Sequence, residues 1–185
     1  RYQDICHELK LDIKIKDILA DIKTKIQEGA SRDYTASRGE YINAIILSQY
    51  LGFEFVDAKD LILFDDDNKL DLEKTMELTA NRLSKVKEVV IPGFYGANKK
   101  GEIVTFSRGG SDITGSIIAN GVEASLYENW TDVSGFYIAD PKIVDNPRHI
   151  ETITYKELRE LSYMGAPVLH EESIFPIKSN GIPIN

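Results

Sequence analysis

Two adjacent glycines beside an arginine form the sharpest chemical cluster in the chain, Ser107-Arg108-Gly109-Gly110-Ser111-Asp112. The cluster follows a short β-prone stretch and opens a helical pattern. Glycines let backbone N–H groups approach a ligand closely. A helix N-terminus adds free N–H groups and a partial positive charge. The Arg108 guanidinium supplies a fork that suits a carboxylate. Helix capping alone would explain Ser111 or Asp112, but not Arg-Gly-Gly beside them. The cluster therefore predicts a site for an anion or an amino acid. It is not a P-loop, because no Gly-Lys-Ser/Thr ending follows.

Three further clusters lie just after apolar stretches or open helices. Pro92-Gly93-Phe94-Tyr95-Gly96-Ala97 reads as a turn or as a ligand-facing loop. Trp130-Thr131-Asp132-Val133-Ser134-Gly135-Phe136-Tyr137 leads into Ala139-Asp140-Pro141-Lys142. There Tyr137 offers a ring and Lys142 a cation, a pairing that suits a nucleotide; a strand followed by an exposed loop is the alternative. In Met164-Gly165-Ala166-Pro167-Val168-Leu169-His170, Pro167 suits the first turn of a helix. His170 reads as a packed or capping histidine rather than a catalyst. His7 and His149 have no partners that suggest a triad, and no Gly-x-Ser-x-Gly elbow exists, so nucleophilic catalysis is not supported.

The elements that must position these residues follow from periodicity. Apolar residues Ile15, Ile18, Leu19, Ile22 and Ile26 predict a helix over 11–28, ended by Gly29. After a polar turn at 31–35, Ser37 with Glu40 reads as a capping box opening a helix over 40–51, closed by Gly52. Strands are predicted over 53–57, 61–64, 88–92, 103–106, 125–131 and 182–184, and helices over 71–84, 111–121, 154–164 and 168–178. Strands alternating with helices argue for an α/β fold with a largely parallel sheet, in which ligands sit beyond the carboxyl ends of strands.

Composition narrows the partners. A chain of 185 residues with 42% hydrophobic and 28% charged residues has enough apolar content for one core. Its net charge of -8 repels phosphate backbones, which argues against nucleic acid. No apolar run reaches the roughly 18 residues of a membrane span. One cysteine, Cys6, cannot close an internal disulfide, and a reducing cytoplasm is the expected location. No metal site is expected: Cys6 and His7 are adjacent, and Asp65-Asp66-Asp67-Asn68 lacks the spacing of a calcium loop.

Taken together, the strings resemble the aspartate kinases of the amino-acid kinase superfamily. Ser37-Arg38-Gly39-Glu40 is similar to the family's Ser-x-Gly-Glu, and Gly93-Phe94-Tyr95-Gly96 to its Gly-Phe-x-Gly. Arg108-Gly109-Gly110-Ser111-Asp112, Trp130-Thr131-Asp132-Val133, Tyr137 with Asp140-Pro141, and Gly165-Ala166 through His170 follow in the family's order. The match is dense over 37–48 and 89–185 and weak over 1–30 and 57–86.

The resemblance implies a three-layer α/β/α sandwich around a mostly parallel central sheet. It implies transfer of the γ-phosphoryl group of ATP to the side-chain carboxylate of L-aspartate, the first step of lysine, threonine and methionine biosynthesis, with Mg²⁺ on the nucleotide. Glu40 would hold the substrate amino group. Arg108, Gly109, Gly110 and Ser111 would grip its carboxylate, and Asp112 would help organise that pocket, with Arg108 and Asp112 nearest the chemistry. Thr131, Asp132, Tyr137, Lys142, Pro167 and Val168 would line the nucleotide site. The expected layout is a partial catalytic domain over 1–185: a helical segment over 1–36, a substrate-side part over 37–92, and a substrate- and nucleotide-binding part over 93–185. The whole enzyme would be a homo-oligomer. The alternatives are an amino-acid kinase with another acidic substrate and a truncated, non-catalytic ligand-binding domain.

Three departures qualify the match. The family's Lys-Phe-Gly-Gly strand, whose lysine grips phosphate, has no counterpart here. Pro167 stands where relatives often carry a nucleotide-contacting lysine. The family's C-terminal regulatory ACT domains would lie beyond the end of the chain, and both ends read as cut from a longer protein, with no signal peptide at the start. Losing a preorganised cation at a transferring phosphoryl group costs about 10²–10³-fold in rate. The 185 residues alone are therefore expected to release no ADP above background with aspartate, ATP and Mg²⁺ in a coupled assay. Turnover near that of an intact aspartate kinase would refute this.

Overall fold

The computed structural model describes residues 1–130, 135–139, 143–163, 176–178 and 180–185. The chain forms two compact units, Arg1–Ser111 and Asp112–Asn185.

The first unit opens with α1 (Tyr2–Glu8), α2 (Ile15–Gln27) and α3 (Arg32–Leu51). Cys6, Ile15, Ile22, Ile42 and Ile46 close a shared apolar core among these helices. The helix expected over 11–28 thus begins at Ile15, and α1 precedes it. The largest difference lies at α3, which starts at Arg32 rather than near Glu40. The cap is Ser31: its backbone is extended and its hydroxyl accepts from the Tyr34 N–H at 3.0 Å. The polar stretch 32–35 is therefore the first helical turn. Ser37 lies inside the helix, fully buried, and its hydroxyl donates to the Tyr34 carbonyl at 2.8 Å. Gly52 ends α3 in the left-handed conformation, with φ 74°.

Short strands follow: β1 (Glu54–Phe55), β2 (Leu63–Phe64), β3 (Val89–Val90), β4 (Tyr95–Asn98) and β5 (Ile103–Thr105). A 3-10 turn at Ala58–Asp60 joins the first two, and α4 (Leu72–Leu83), capped by Asp71, lies between β2 and β3. β1 pairs parallel with β3, and β2 pairs parallel with β4. β4 and β5 form an antiparallel hairpin. Both parallel pairs need a crossover, which α4 lies within. α3 packs against β1, β3 and β5.

The segment read as a turn or a ligand-facing loop thus becomes a strand from Tyr95 onward. The cause is close packing rather than turn formation. A Cβ on Gly96 would collide with the Ile62 carbonyl oxygen and stand 2.7 Å from Ile62 Cγ2. Glycine here permits the β4 backbone to reach Ile62, whose carbonyl accepts from the Ala97 N–H at 2.9 Å.

In the second unit, α5 (Gly110–Gly121) continues from the first, and α6 (Tyr155–Tyr163) follows. The strands expected over 125–131 and 182–184 meet as a parallel bridge at Tyr127 and Ile184. Ala119, Ile177 and Ile182 are buried together. Tyr127 lies against Gly115 and its hydroxyl points to the Asp112 carbonyl at 3.4 Å. Burial, then the charge of Asp112, pushes its hydroxyl up to about 12. Of the helix expected over 168–178, residues 168–175 lie outside the described residues.

Gly96→Ala is expected to cost about 1–3 kcal/mol through overpacking against Ile62. A lower denaturant midpoint with an unchanged slope would show it, and an unchanged midpoint would contradict it.

Candidate active site

Glycines bring two motif-bearing loops into backbone contact. A Cβ on Gly110 would stand 2.9 Å from both Phe94 Cα and Phe106 Cβ. A Cβ on Gly93 would stand 3.2 Å from Ser111 Cα. Phe94 itself takes φ 78°, a conformation a side chain rarely adopts, and its carbonyl accepts from the Phe106 N–H at 3.0 Å. Gly109, at φ 55°, turns the chain into α5. The turn at Gly93-Phe94 and the start of α5 therefore present one surface. Ser107, Arg108 and Ser111 are exposed there.

The N-terminal part of α3 is tied to the same region. Asp33 accepts from the Thr105 N–H at 3.1 Å, at the end of the strand that leads to Arg108. Glu40 lies farther along α3 on its exposed face. No ion pair joins Glu40 to Arg108 among the described residues.

Sequence reasoning missed a buried polar layer on another face of α3. Arg38 is only 8% exposed, and its guanidinium carbon lies 4.4 Å from the Tyr34 ring centre, 4.5 Å from that of Tyr41 and 5.4 Å from that of Tyr95. Its Nε donates to the Tyr34 carbonyl at 3.2 Å and its Nη2 to Ser37 Oγ at 2.9 Å. Tyr95 is fully buried, and its hydroxyl donates to Asp57 Oδ1 at 2.7 Å. Burial, then the charge of Asp57, raises the Tyr95 hydroxyl far above the usual tyrosine range. An open cleft of about 990 Å³ borders Arg38, Tyr34, Tyr41 and Asp57. Glu40 and Arg108 do not line it. The usable signal was that Arg38 and Tyr95 fill the open positions of Ser-x-Gly-Glu and Gly-Phe-x-Gly.

Of the nucleotide candidates, Tyr137 is half-buried in a hairpin whose rungs run Ile150 N to Phe136 O at 2.8 Å and Ile138 N to Arg148 O at 3.0 Å. The His149 ring lies 4.1 Å from that of Tyr137. Thr131, Asp132, Lys142, Pro167, Val168 and His170 lie outside the described residues. Among the described residues, no group of three or more His, Cys, Asp or Glu could hold a metal ion, and no helix is long and apolar enough to cross a membrane.

The amino acid kinase family model matches residues 3–185, and the chain belongs to that family. Over 199 aligned residues it is 39% identical to aspartokinase 3 of Bacillus subtilis (strain 168), across 100% of this chain and 44% of that protein. The crystal structure of Clostridium acetobutylicum aspartate kinase superposes with a TM-score of 0.91 at 55% identity, covering 100% of this chain and 42% of that one. Aspartokinase III of E. coli, solved with aspartate and ADP, gives a TM-score of 0.81 at 28% identity, over 95% and 44%. The chain spans less than half the length of these relatives.

Gly110→Ala is expected to push the Phe94 turn away from α5 and cost about 1–3 kcal/mol. Thermal unfolding measures this directly, and an unchanged midpoint would show that the two loops are not in contact.

Proposed function

We propose that this chain carries the aspartate pocket and much of the ATP pocket of an aspartate kinase. The observation that supports this most is the seating of Gly93-Phe94 against Gly110-Ser111, which puts two motif strings on one surface. The similarity to aspartate kinases over the whole chain points to the same activity. The parallel registers of β1 with β3 and β2 with β4 support the finer architecture, a three-layer α/β/α sandwich around a mostly parallel sheet.

In this reading Arg108 grips a substrate carboxylate bidentately, aided by the backbone N–H groups of Gly109, Gly110 and Ser111 at the start of α5. Glu40 holds the substrate ammonium group, and Asp112 organises the pocket. A side-chain carboxylate oxygen attacks the γ-phosphorus while the bond to the β-phosphate oxygen breaks and ADP leaves. The nucleophile is already an anion, so no general base is needed, and positioning with charge neutralisation supplies most of the rate. Thr131, Asp132, Tyr137, Lys142, Pro167 and Val168 line the nucleotide site. Pro167 brings no cation, so Lys142 carries more of the phosphate charge. The described residues offer no acidic cage for Mg²⁺. Mg²⁺ would be held largely by the nucleotide and would supply charge neutralisation at its phosphates.

In the full-length enzyme, Arg108→Ala is expected to lower kcat/KM for aspartate by roughly 30- to 1000-fold, about 2–4 kcal/mol, and to leave ATP affinity nearly unchanged. Initial-rate kinetics with aspartate and with glutamate provide the check. Lost ATP affinity with aspartate use intact would mean the two pockets are exchanged, and preference for glutamate would make this a different amino-acid kinase.

A further inference from the structure

The family pattern leaves one position open in each of its strings Ser-x-Gly-Glu and Gly-Phe-x-Gly. In this chain Arg38 and Tyr95 fill them, and the fold stacks these two residues together. Each sits beside a residue assigned to the substrate surface. Arg38 is two residues from Glu40, on a buried face of α3 while Glu40 is exposed. Tyr95 directly follows Phe94, the left-handed residue of the turn.

We propose that Arg38 and Tyr95 are a coupled pair of positioning residues for the acidic substrate. Together they set the rotation of α3, and so of Glu40, relative to the Gly93-Phe94 turn. The proposal rests on the substrate assignment made above. Neither residue reaches the surface that carries Arg108: Tyr95 is fully buried, and Arg38, 8% exposed, borders only the cleft that Arg108 and Glu40 do not line. Their leverage comes from burial. Arg38 makes no ion pair among the described residues; its charge is met by the Tyr34 carbonyl, the Ser37 hydroxyl and three ring faces. A buried guanidinium met only this way is sensitive to displacement of any ring. The Tyr95 ring is held from its far end by the bond to Asp57, which also accepts from the Lys59 N–H at 3.2 Å. A turn or slide of α3 would therefore pull the guanidinium off a ring that cannot follow.

The test is a double-mutant cycle in the full-length enzyme with Arg38→Met, Tyr95→Leu and the double variant. Each single change is expected to raise the aspartate KM about 5- to 10-fold, with the ATP KM moving less than about 2-fold. The double variant is expected to exceed the larger single effect by less than about 2-fold, because residues in contact do not add. Tyr95→Phe keeps the ring and removes only the bond to Asp57. It is expected to raise the aspartate KM about 2- to 3-fold, and it remains readable if Tyr95→Leu does not fold. Single effects that multiply, equal rises in both KM values, or a fall in thermal midpoint with an unchanged aspartate KM would overturn the proposal. Arg108→Ala separates the two levels. If it impairs aspartate use while the pair variants do not, only the coupled pair fails. If it spares aspartate, the substrate assignment fails and the pair with it.

Discussion

Where Gly110 meets Phe94, two stretches of main chain approach until no methyl group fits between them. The rest of the candidate site depends on that contact. It seats the left-handed Phe94 beside the start of α5, where the helix dipole favours an anion. It also fixes where Arg108 leaves the end of β5, because the loop between has only Phe106 and Ser107 to span the gap. The Phe106 N–H bonded to the Phe94 carbonyl closes the same junction from the strand side. A side chain at Gly110 would act on all of these together, since they share one small piece of backbone.

A second constraint lies under α3. Removing a charged group from water is costly unless it is paired or hydrogen-bonded. Arg38 and Asp57 are each 8% exposed and do not pair with each other within 4 Å. Asp57 is met by the Tyr95 hydroxyl, the Lys59 N–H and the Lys59 ammonium at 3.8 Å, while Arg38 is met by oxygens and rings. Tyr95 links the two arrangements, with its face toward the guanidinium and its hydroxyl on the carboxylate. Opposite charges thus meet the face and the hydroxyl of one ring, which gives β4 and α3 a defined mutual orientation that apolar packing alone would specify less sharply.

Much of this was legible in the chain. Gly52 as a helix stop, α4, α5 and α6, and the place of the Arg108 cluster between a strand and a helix start all follow from periodicity and turn chemistry. The start of α3 was not, because Ser37 and Glu40 imitate a cap while Ser31, which lacks a glutamate three residues on, is the real one. β4 was hidden by Gly93 and Gly96, which read as turn signals although Gly96 serves close approach to Ile62. The Arg38 layer was hidden for a more general reason. Periodicity assigns faces to apolar residues, but which polar side chains go inside depends on partners far off in sequence, here Asp57 and Tyr95. Family resemblance supplied the motif order, and it could not say that its two open positions are neighbours.

Phe94 adds a consequence of a different kind. A non-glycine residue held at φ 78° raises the energy of the folded state by about 1–3 kcal/mol relative to relaxed backbone. A glycine there would remove that strain but would also remove the ring and free the turn in the unfolded chain. The position therefore has no substitution that improves stability while keeping the ring's direction. Under selection for heat tolerance, gains would have to accumulate elsewhere in the chain, and this turn would persist as a fixed point of high local energy.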